Sequence, residues 1–311
     1  MQKYPEVIGL GCCTLDILIR TERLPTWDQP CMFNELRIDG GGQAATAMTA
    51  VVRLGVSAGL IATAGNDEIA DLKISLTKRY GVDTSHVVRR NCQEMGVVIV
   101  LVHAKTGERI FFGGGKQGLY PILPSELDRS YITSAKYLLI DGLHRESAIE
   151  SARWIREAGG KVVFDAGTPG TRPLPPERLD FLKYVDILIS GSGYAQAVTG
   201  IDNLTLAGKK ITEMGPKIFV QTEGENGCYT FTSDEAFHTP AFKVDVVDTT
   251  GAGDVFHGAY IVGLIHGWNL RRIAEFASAV SAIKCTRMGG RSGIPTFAET
   301  LAFLKTHAGW N

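Results

Sequence analysis

The sequence predicts a three-layer α/β fold around a mostly parallel central sheet. Short Val/Ile-rich runs alternate with helix-length periodic segments along most of the 311 residues. Strands of that kind, separated by helices, are parallel and covered on both faces. No repeat, low-complexity tract or Pro/Gly/Ser-rich linker divides the chain, so residues 1–311 read as a single domain.

In order, the apolar runs Val7–Gly11, Gly59–Thr63, Tyr137–Ile140, Lys161–Phe164, Asp186–Ile189 and Ile218–Gln221 are the expected core strands. Helices are expected between them near Gln43–Leu54, Ile69–Tyr80, Ser147–Ala158 and Leu204–Met214. Three more, near Asp254–His266, Leu270–Cys285 and Phe297–Thr306, close the chain. Two stretches, 17–38 and 96–112, break the alternation with β-prone pieces and no long helix. Within the second, Val97–Val102 and Arg109–Phe112 flank Ala104-Lys-Thr-Gly107, a hairpin turn.

Composition narrows the function. Hydrophobic residues at 44% with 21% charged residues describe an ordinary globular chain with a substantial core. A formal net charge of -1 gives no reason to expect nucleic acid or an acidic membrane as partner. The opening Met1-Gln-Lys-Tyr-Pro-Glu lacks a secretory leader pattern, and no apolar stretch is long enough to span a bilayer. The expected compartment is cytoplasmic. The six cysteines show no C-x-x-C pair or zinc-ligand spacing and read as reduced, small hydrophobes.

The chemistry concentrates in Asp248-Thr-Thr-Gly-Ala-Gly-Asp-Val-Phe-His-Gly258. Its glycine-bracketed turn opens an apolar helix, where converging N–H groups and the helix N-terminus favour an anion. Gly251, Ala252 and Gly253 are the expected donors, and Asp254 stands where it could accept a hydroxyl proton. Phosphoryl transfer to an alcohol needs that pairing, because its catalysis is mostly positioning and charge stabilisation. The bland alternative makes Asp254 a helix N-cap. Its position at a helix start is expected to favour the ionised carboxylate. Gly258 and Gly263 are read as packing glycines, and His257 as a packed helix residue without a catalytic role.

Asp248-Thr-Thr-Gly-Ala-Gly-Asp254 resembles the C-terminal signature of the ribokinase-like (PfkB-type) carbohydrate kinases. Gly40-Gly-Gly-Gln-Ala-Ala-Thr-Ala-Met-Thr-Ala-Val-Val-Arg-Leu-Gly55 resembles their N-terminal glycine-rich signature. Order, separation and length agree across essentially the whole chain. The segment Pro240–Asp254 with Lys284-Cys-Thr-Arg looks especially like sulfofructose kinase, although no basic residue stands around Trp27–Cys31 to hold a sulfonate.

The resemblance implies a ribokinase-like three-layer sandwich in which the two irregular stretches form a small β-sheet lid, shared across a homodimer. It implies ATP and Mg2+, a small sugar substrate (ketose, pentose or sugar acid), and Asp254 as general base. Nucleotide contacts are expected at Thr222, Gly224 and Gly227, in the loop Val220-Gln-Thr-Glu-Gly-Glu-Asn-Gly227, and at Ala277 and Ser278. Asp16, Gly41, Gly42 and Gln43 would meet the sugar, with Asp141, His144 and Arg145 on its wall. Arg109 and Lys116 lie on the expected lid, and several basic residues near one site would suit an acidic or phosphorylated sugar. A potassium-like ion is implied beside the anion hole, held by Asp248 and Thr250 with carbonyls of Lys284, Arg287 and Gly289. Gly293 removes a serine ligand of ribokinase from that set. The family's Asn-x-x-Glu element is also absent, with Gly191 and Tyr194 in its places, so magnesium would be carried by ATP and water.

Other classes are weaker. A nucleoside kinase shares the architecture, and a non-catalytic sugar sensor would explain the missing Asn-x-x-Glu but not the intact Asp254. A nicotinamide enzyme would use Gly9-Leu-Gly11, yet Thr14 stands where the third fingerprint glycine belongs.

Overall fold

Successive side chains of a strand point to opposite faces, so a strand buried on both faces must be apolar at consecutive positions. β1 (Val7–Leu10) is buried at all four residues: Val7 faces one core, Ile8 and Leu10 the other. The same division recurs in β8 (Tyr137–Ile140), β9 (Lys161–Asp165), β10 (Ile187–Ser190) and β11 (Ile218–Thr222). These strands therefore bind two helical layers at once. The computed structural model describes residues 4–113, 120–168 and 179–310, and Lys116 lies outside them.

Among the described residues, nine strands form the central sheet. β4 (Ala58–Ala64) and β5 (Asp83–Arg89) continue it beyond β1, while β12 (Cys228–Phe231) and β13 (Ala236–Thr239) extend the far edge. Seven strands run parallel; β12 returns antiparallel to β11, and β13 runs antiparallel to β12. Helices α1 (Gln43–Arg53), α7 (Ala252–Ile265), α8 (Leu270–Cys285) and α9 (Phe297–Ala308) bury residues against one face. The other face carries α3 (Arg129–Thr133), α4 (Arg145–Glu157), α5 (Tyr194–Thr199) and α6 (Leu204–Thr212). α2 (Glu68–Lys78) is N-capped by Asp67, which accepts the Ala70 N–H.

The two irregular stretches form a second sheet. β2 (Thr14–Thr21) pairs antiparallel with β3 (Glu35–Gly41) and parallel with β6 (Val97–His103), which pairs with β7 (Arg109–Gly113). The turn between β6 and β7 falls at residues 104–107, with Gly107 at φ 69°, as the hairpin expectation requires. Leu18, Val100 and Val102 pack under this sheet against Met288. Its far side stays apolar and open: Ile38, Ile110 and Phe112 are all exposed.

The expected core strands and the long helices all occur. The sequence reading omitted β5, β12, β13, α3 and α5. α3 and α5 have only 5 and 6 residues, too few for a periodic signature, while β5 is only partly buried and β12 and β13 have 4 residues each, with Tyr, Thr and His among the apolar ones. All six cysteines are free. No described helix is long and apolar enough to cross a membrane.

α1 and α7 approach closely because Gly258 has no side chain. A Cβ there would run into the Ala47 carbonyl and come 2.8 Å from the Ala50 Cβ. Gly258→Ala should therefore cost about 1–3 kcal/mol, the usual range for overpacking. Urea unfolding measures this directly; an unchanged midpoint and slope would show that the two helices can part freely.

Candidate active site

In an open sheet of this kind, ligands bind beyond the carboxyl ends of the parallel strands. Asp141 follows β8, Asp165 ends β9, Ser190 ends β10 and Thr222 ends β11, so the strands deliver four polar residues to one edge. The N-terminus of α7 faces the same edge. His257, one turn into α7, touches the Ile189 carbonyl (Nε2–O 3.2 Å) and lies 3.4 Å from the Asp165 carboxylate.

The turn before α7 depends on Gly251, which takes the left-handed conformation (φ 73°) that glycine tolerates best. Gly251 is the N-cap, so Asp254 sits on the helix's third residue and makes no capping bond, contrary to the bland expectation. The Ala252 N–H already donates to the Thr249 carbonyl at 3.2 Å. Of the three expected anion donors, Gly251 and Gly253 thus have the stronger claim, and a Cβ on Gly253 would meet nothing within 4 Å. Asp248 ties the turn to the chain after α8: its Oδ1 accepts the Thr250 N–H (2.8 Å) and hydroxyl (2.7 Å), and its Oδ2 accepts the Gly289 N–H (2.8 Å).

Asp16, expected on the sugar side, lies at the base of β2 and is buried, accepting the Thr14 hydroxyl at 2.6 Å. Across the β2–β3 ladder, a Cβ on Gly41 would overlap its carboxylate. A Cβ on Gly40 would likewise collide with the guanidinium of Arg291. Gly42, at φ 87°, passes so close to Cys12 that a side chain would strike its carbonyl (2.5 Å). Asp141 accepts the N–H groups of Cys12 (2.6 Å) and Leu143 (3.1 Å). Gln43 opens α1, its amide facing Gly167 after β9.

These acids influence one another. Burial pushes Asp16 up to about 6, against the Thr14 hydrogen bond and the Arg291 charge. Burial also takes Asp141 to about 6, offset by its backbone donors. Asp254 rises furthest, to about 7, through burial and then the negative charge of Asp165, with His257 and Arg291 pulling the other way. The expectation that its helix position would keep this carboxylate easily ionised is corrected: removal from water and neighbouring carboxylates outweigh the helix terminus.

On the other flank, the Thr222 hydroxyl donates to the Ser190 carbonyl (3.1 Å), and Gly224 and Gly227 take positive φ in the following turn. Ser278 hydrogen-bonds Cys228, beside that turn, so α8 and the loop meet as expected. Ala277 does not face the cleft; it is fully buried in the core, because on a helix its neighbour at 278 already occupies the loop-facing side. His144 also departs from the expected sugar wall. It is buried, its Nδ1 accepting the Ile122 N–H at 3.2 Å, and burial lowers its pKa to about 4. Arg109 reaches from the lid to the Thr249 hydroxyl, in the anion turn itself.

The sequence matches the pfkB family carbohydrate kinase over residues 6–297. The chain belongs to that family. It is 30% identical over 300 residues to an ATP-dependent ribose-1-phosphate kinase from Halopiger xanaduensis, covering 96% of this chain and 98% of that one. An Escherichia coli protein assigned as ribokinase II, solved with ATP and Mg2+, superposes with a TM-score of 0.83 at 25% identity, over 97% of this chain and 100% of the other. Arabidopsis thaliana ribokinase, complexed with ribose and ATP, shares the fold at a TM-score of 0.82 and 23% identity, over 97% and 99% of the two chains.

Within this carbohydrate kinase, sequence reasoning missed three groups at the site. Arg291 is wholly buried, its guanidinium donating to Thr46 (3.2 Å), Thr77 (2.8 Å) and the Gly41 carbonyl (2.5 Å). Asp165 is buried with one oxygen, Oδ2, lacking a hydrogen-bond partner. Lys284 was expected to offer its carbonyl, yet its side chain is also buried and its ammonium donates to the Asp248 carbonyl.

Gly41→Ala tests the steric basis of the sugar side, since it must displace Asp16. Calorimetry should show sugar affinity down by about tenfold or more, a displacement-sized effect, with nucleotide affinity kept. Equal sugar affinity would mean that Asp16 does not hold the substrate.

Proposed function

We propose that this family member transfers the γ-phosphoryl group of ATP to a hydroxyl of a small sugar. The observation that carries the reading is Asp254 on the first turn of α7, beside the Gly251–Gly253 turn and with its proton affinity raised. Asp254 takes the hydroxyl proton as the oxygen attacks in line, and the Gly251 and Gly253 N–H groups stabilise charge on the transferring group. A base titrating near neutrality suits this work, because it is ionised at working pH and still accepts a proton well. Asp16 and Asp141 are placed to accept hydrogen bonds from other hydroxyls. Thr222, Gly224, Gly227 and Ser278 border the nucleotide.

Magnesium carried on ATP would neutralise negative charge on the phosphates. Tyr194 is buried against Phe219, and Thr168 fills the space that a side chain at 191 would need, so neither position offers a carboxylate. Glu223 does. It accepts the Ser192 hydroxyl and the Gln221 amide (2.6 Å), above the start of α5. The described residues bring no three His, Cys, Asp or Glu side chains together as a metal site. That arrangement fits an ion held mainly by ATP and water, with Glu223 fixing a water ligand.

A phosphorylated pentose is a second reading, favoured by the ribose-1-phosphate kinase relative. A cavity of about 250 Å3 opens beside Cys12 and Leu143, both bonded to Asp141; the Arg90 and Lys73 that line it are paired with Glu126 and Glu94. Coupled ADP release with Mg-ATP, across pentoses, their 1-phosphates, ketoses, sugar acids and nucleosides, separates the readings. We further propose that the open lid face, with Ile110 and Phe112, pairs with a second copy of the chain. Sedimentation should give twice the chain's 33.6 kDa mass, and an Ile110→Asp/Phe112→Asp variant half of that; a wild-type monomer rejects the pairing.

With the preferred substrate, kcat/KM should climb with pH and level off above about 7, because the base acts only when deprotonated. Asp254→Asn should lower kcat by roughly three orders of magnitude or more, keep ATP binding and remove the pH step. Near-normal turnover in that variant would rule out the assigned base.

A further inference from the structure

Asp248 and Lys284, two of the residues that the family resemblance assigns to a potassium-like ion, already give their oxygens to this protein's own donors. Both carboxylate oxygens of Asp248 accept protein hydrogen bonds, from Thr250 and from Gly289. The Asp248 carbonyl accepts the Lys284 ammonium at 2.9 Å. The Lys284 carbonyl accepts the Arg287 N–H at 3.3 Å. The set therefore contains a positive charge, and its one carboxylate is spent on hydrogen bonds.

Lys284 has no ordinary reason to be there. It lies on the last turn of α8, where a lysine can reach water easily, yet it is wholly buried and folds back toward the anion turn. Among the described residues no carboxylate comes within ion-pairing distance of it; Asp248 and Asp254 are the main acids acting on it, and Arg109 opposes them. Gly293 stands where a side-chain oxygen would complete an ion's shell, and a Cβ there would crowd the Lys284 carbonyl at 2.5 Å.

We infer that the ammonium of Lys284 takes the place of the monovalent cation, so that the enzyme works without potassium. A monovalent ion and an ammonium carry the same charge. Tethered to α8, the ammonium holds the Asp248 carbonyl, and with it the strand-to-turn corner that presents Gly251 and Gly253. Entry of potassium beside it would set two like charges together and displace hydrogen bonds the protein already makes. This inference rests on the kinase reading for its rate measurements but not for its binding measurements.

The test compares potassium chloride with tetramethylammonium chloride at equal ionic strength. Wild-type turnover with Mg-ATP and the preferred sugar should agree within about twofold between the two salts, and its melting temperature should not respond to potassium. Lys284→Ala should lose about tenfold or more in kcat in tetramethylammonium, regain much of it with potassium or ammonium, and show a potassium-dependent rise in melting temperature. Wild-type activation by potassium of about fivefold or more, or a 205Tl+ NMR signal from ion bound to wild type, would overturn the inference. Absence of turnover in every salt would count against the kinase reading alone, because the thermal shifts and thallium binding need no chemistry. Should Lys284→Ala fail to fold, the wild-type comparison and the thallium measurement decide the matter unaided.

Discussion

Acidic side chains crowded into a dry cleft set the terms for the rest of this structure. Asp16, Asp141, Asp165 and Asp254 converge beyond the strand ends, and burial raises three of them toward neutrality. Left alone, such a cluster would hold its protons and drive its members apart. Two buried cations answer it without touching it. Arg291 bonds only to hydroxyls and a carbonyl, and Lys284 only to a carbonyl. A direct ion pair would neutralise one acid and leave the others; a charge held by neutral groups acts on several. Removing such cations from water costs several kcal/mol each; Arg291 offsets this with three hydrogen bonds, and Lys284 with one and the field of the nearby acids.

The three glycines at 40–42 follow from the same need. Gly40 leaves room for Arg291, Gly41 for the Asp16 carboxylate, and Gly42 for the Cys12 carbonyl. What looks in sequence like one flexible motif is three separate steric demands, each from a different partner. Asp39, just before them, accepts the backbone N–H groups of both Arg291 and Ser292. The segment after α8 is thereby fastened to the lid base at one point and to the anion turn at another, through Asp248. Sugar site and phosphate site share one backbone support.

Legibility in the sequence followed the range of the interactions. Strands such as Tyr137–Ile140 and helices such as Leu270–Cys285 are local patterns, and their observed bounds equal the expected ones. The glycine turn with Asp254 is also local, so its geometry could be anticipated. The proton affinity of Asp254 could not, because it depends on Asp165 and Asp16, brought near only by the sheet. Arg291 and Lys284 were hidden for a related reason. By residue type they belong on the surface, and nothing within a few positions announces burial. Ala277 and Ser278 show the finer limit: adjacent on one helix, one faces the loop and the other the core, a distinction that rests on rotation of the helix by a single residue.

The lid is less separate from the chemistry than its own sheet suggests. Asp16 belongs to β2, in register with Asp39 on β3, so the carboxylate proposed to meet the sugar sits on a lid strand. β6 lies parallel to β2, and the hairpin it begins carries Arg109 to the Thr249 hydroxyl, one residue before Thr250 and two before Gly251. A shift of the hairpin must therefore act at two places, on the sugar carboxylate through the ladder and on the phosphate turn through Arg109. Because sheet register moves in whole residues, not by degrees, the lid sets both reacting groups together. Substrate capture and alignment of the anion turn are, on this geometry, consequences of the same strand pairing.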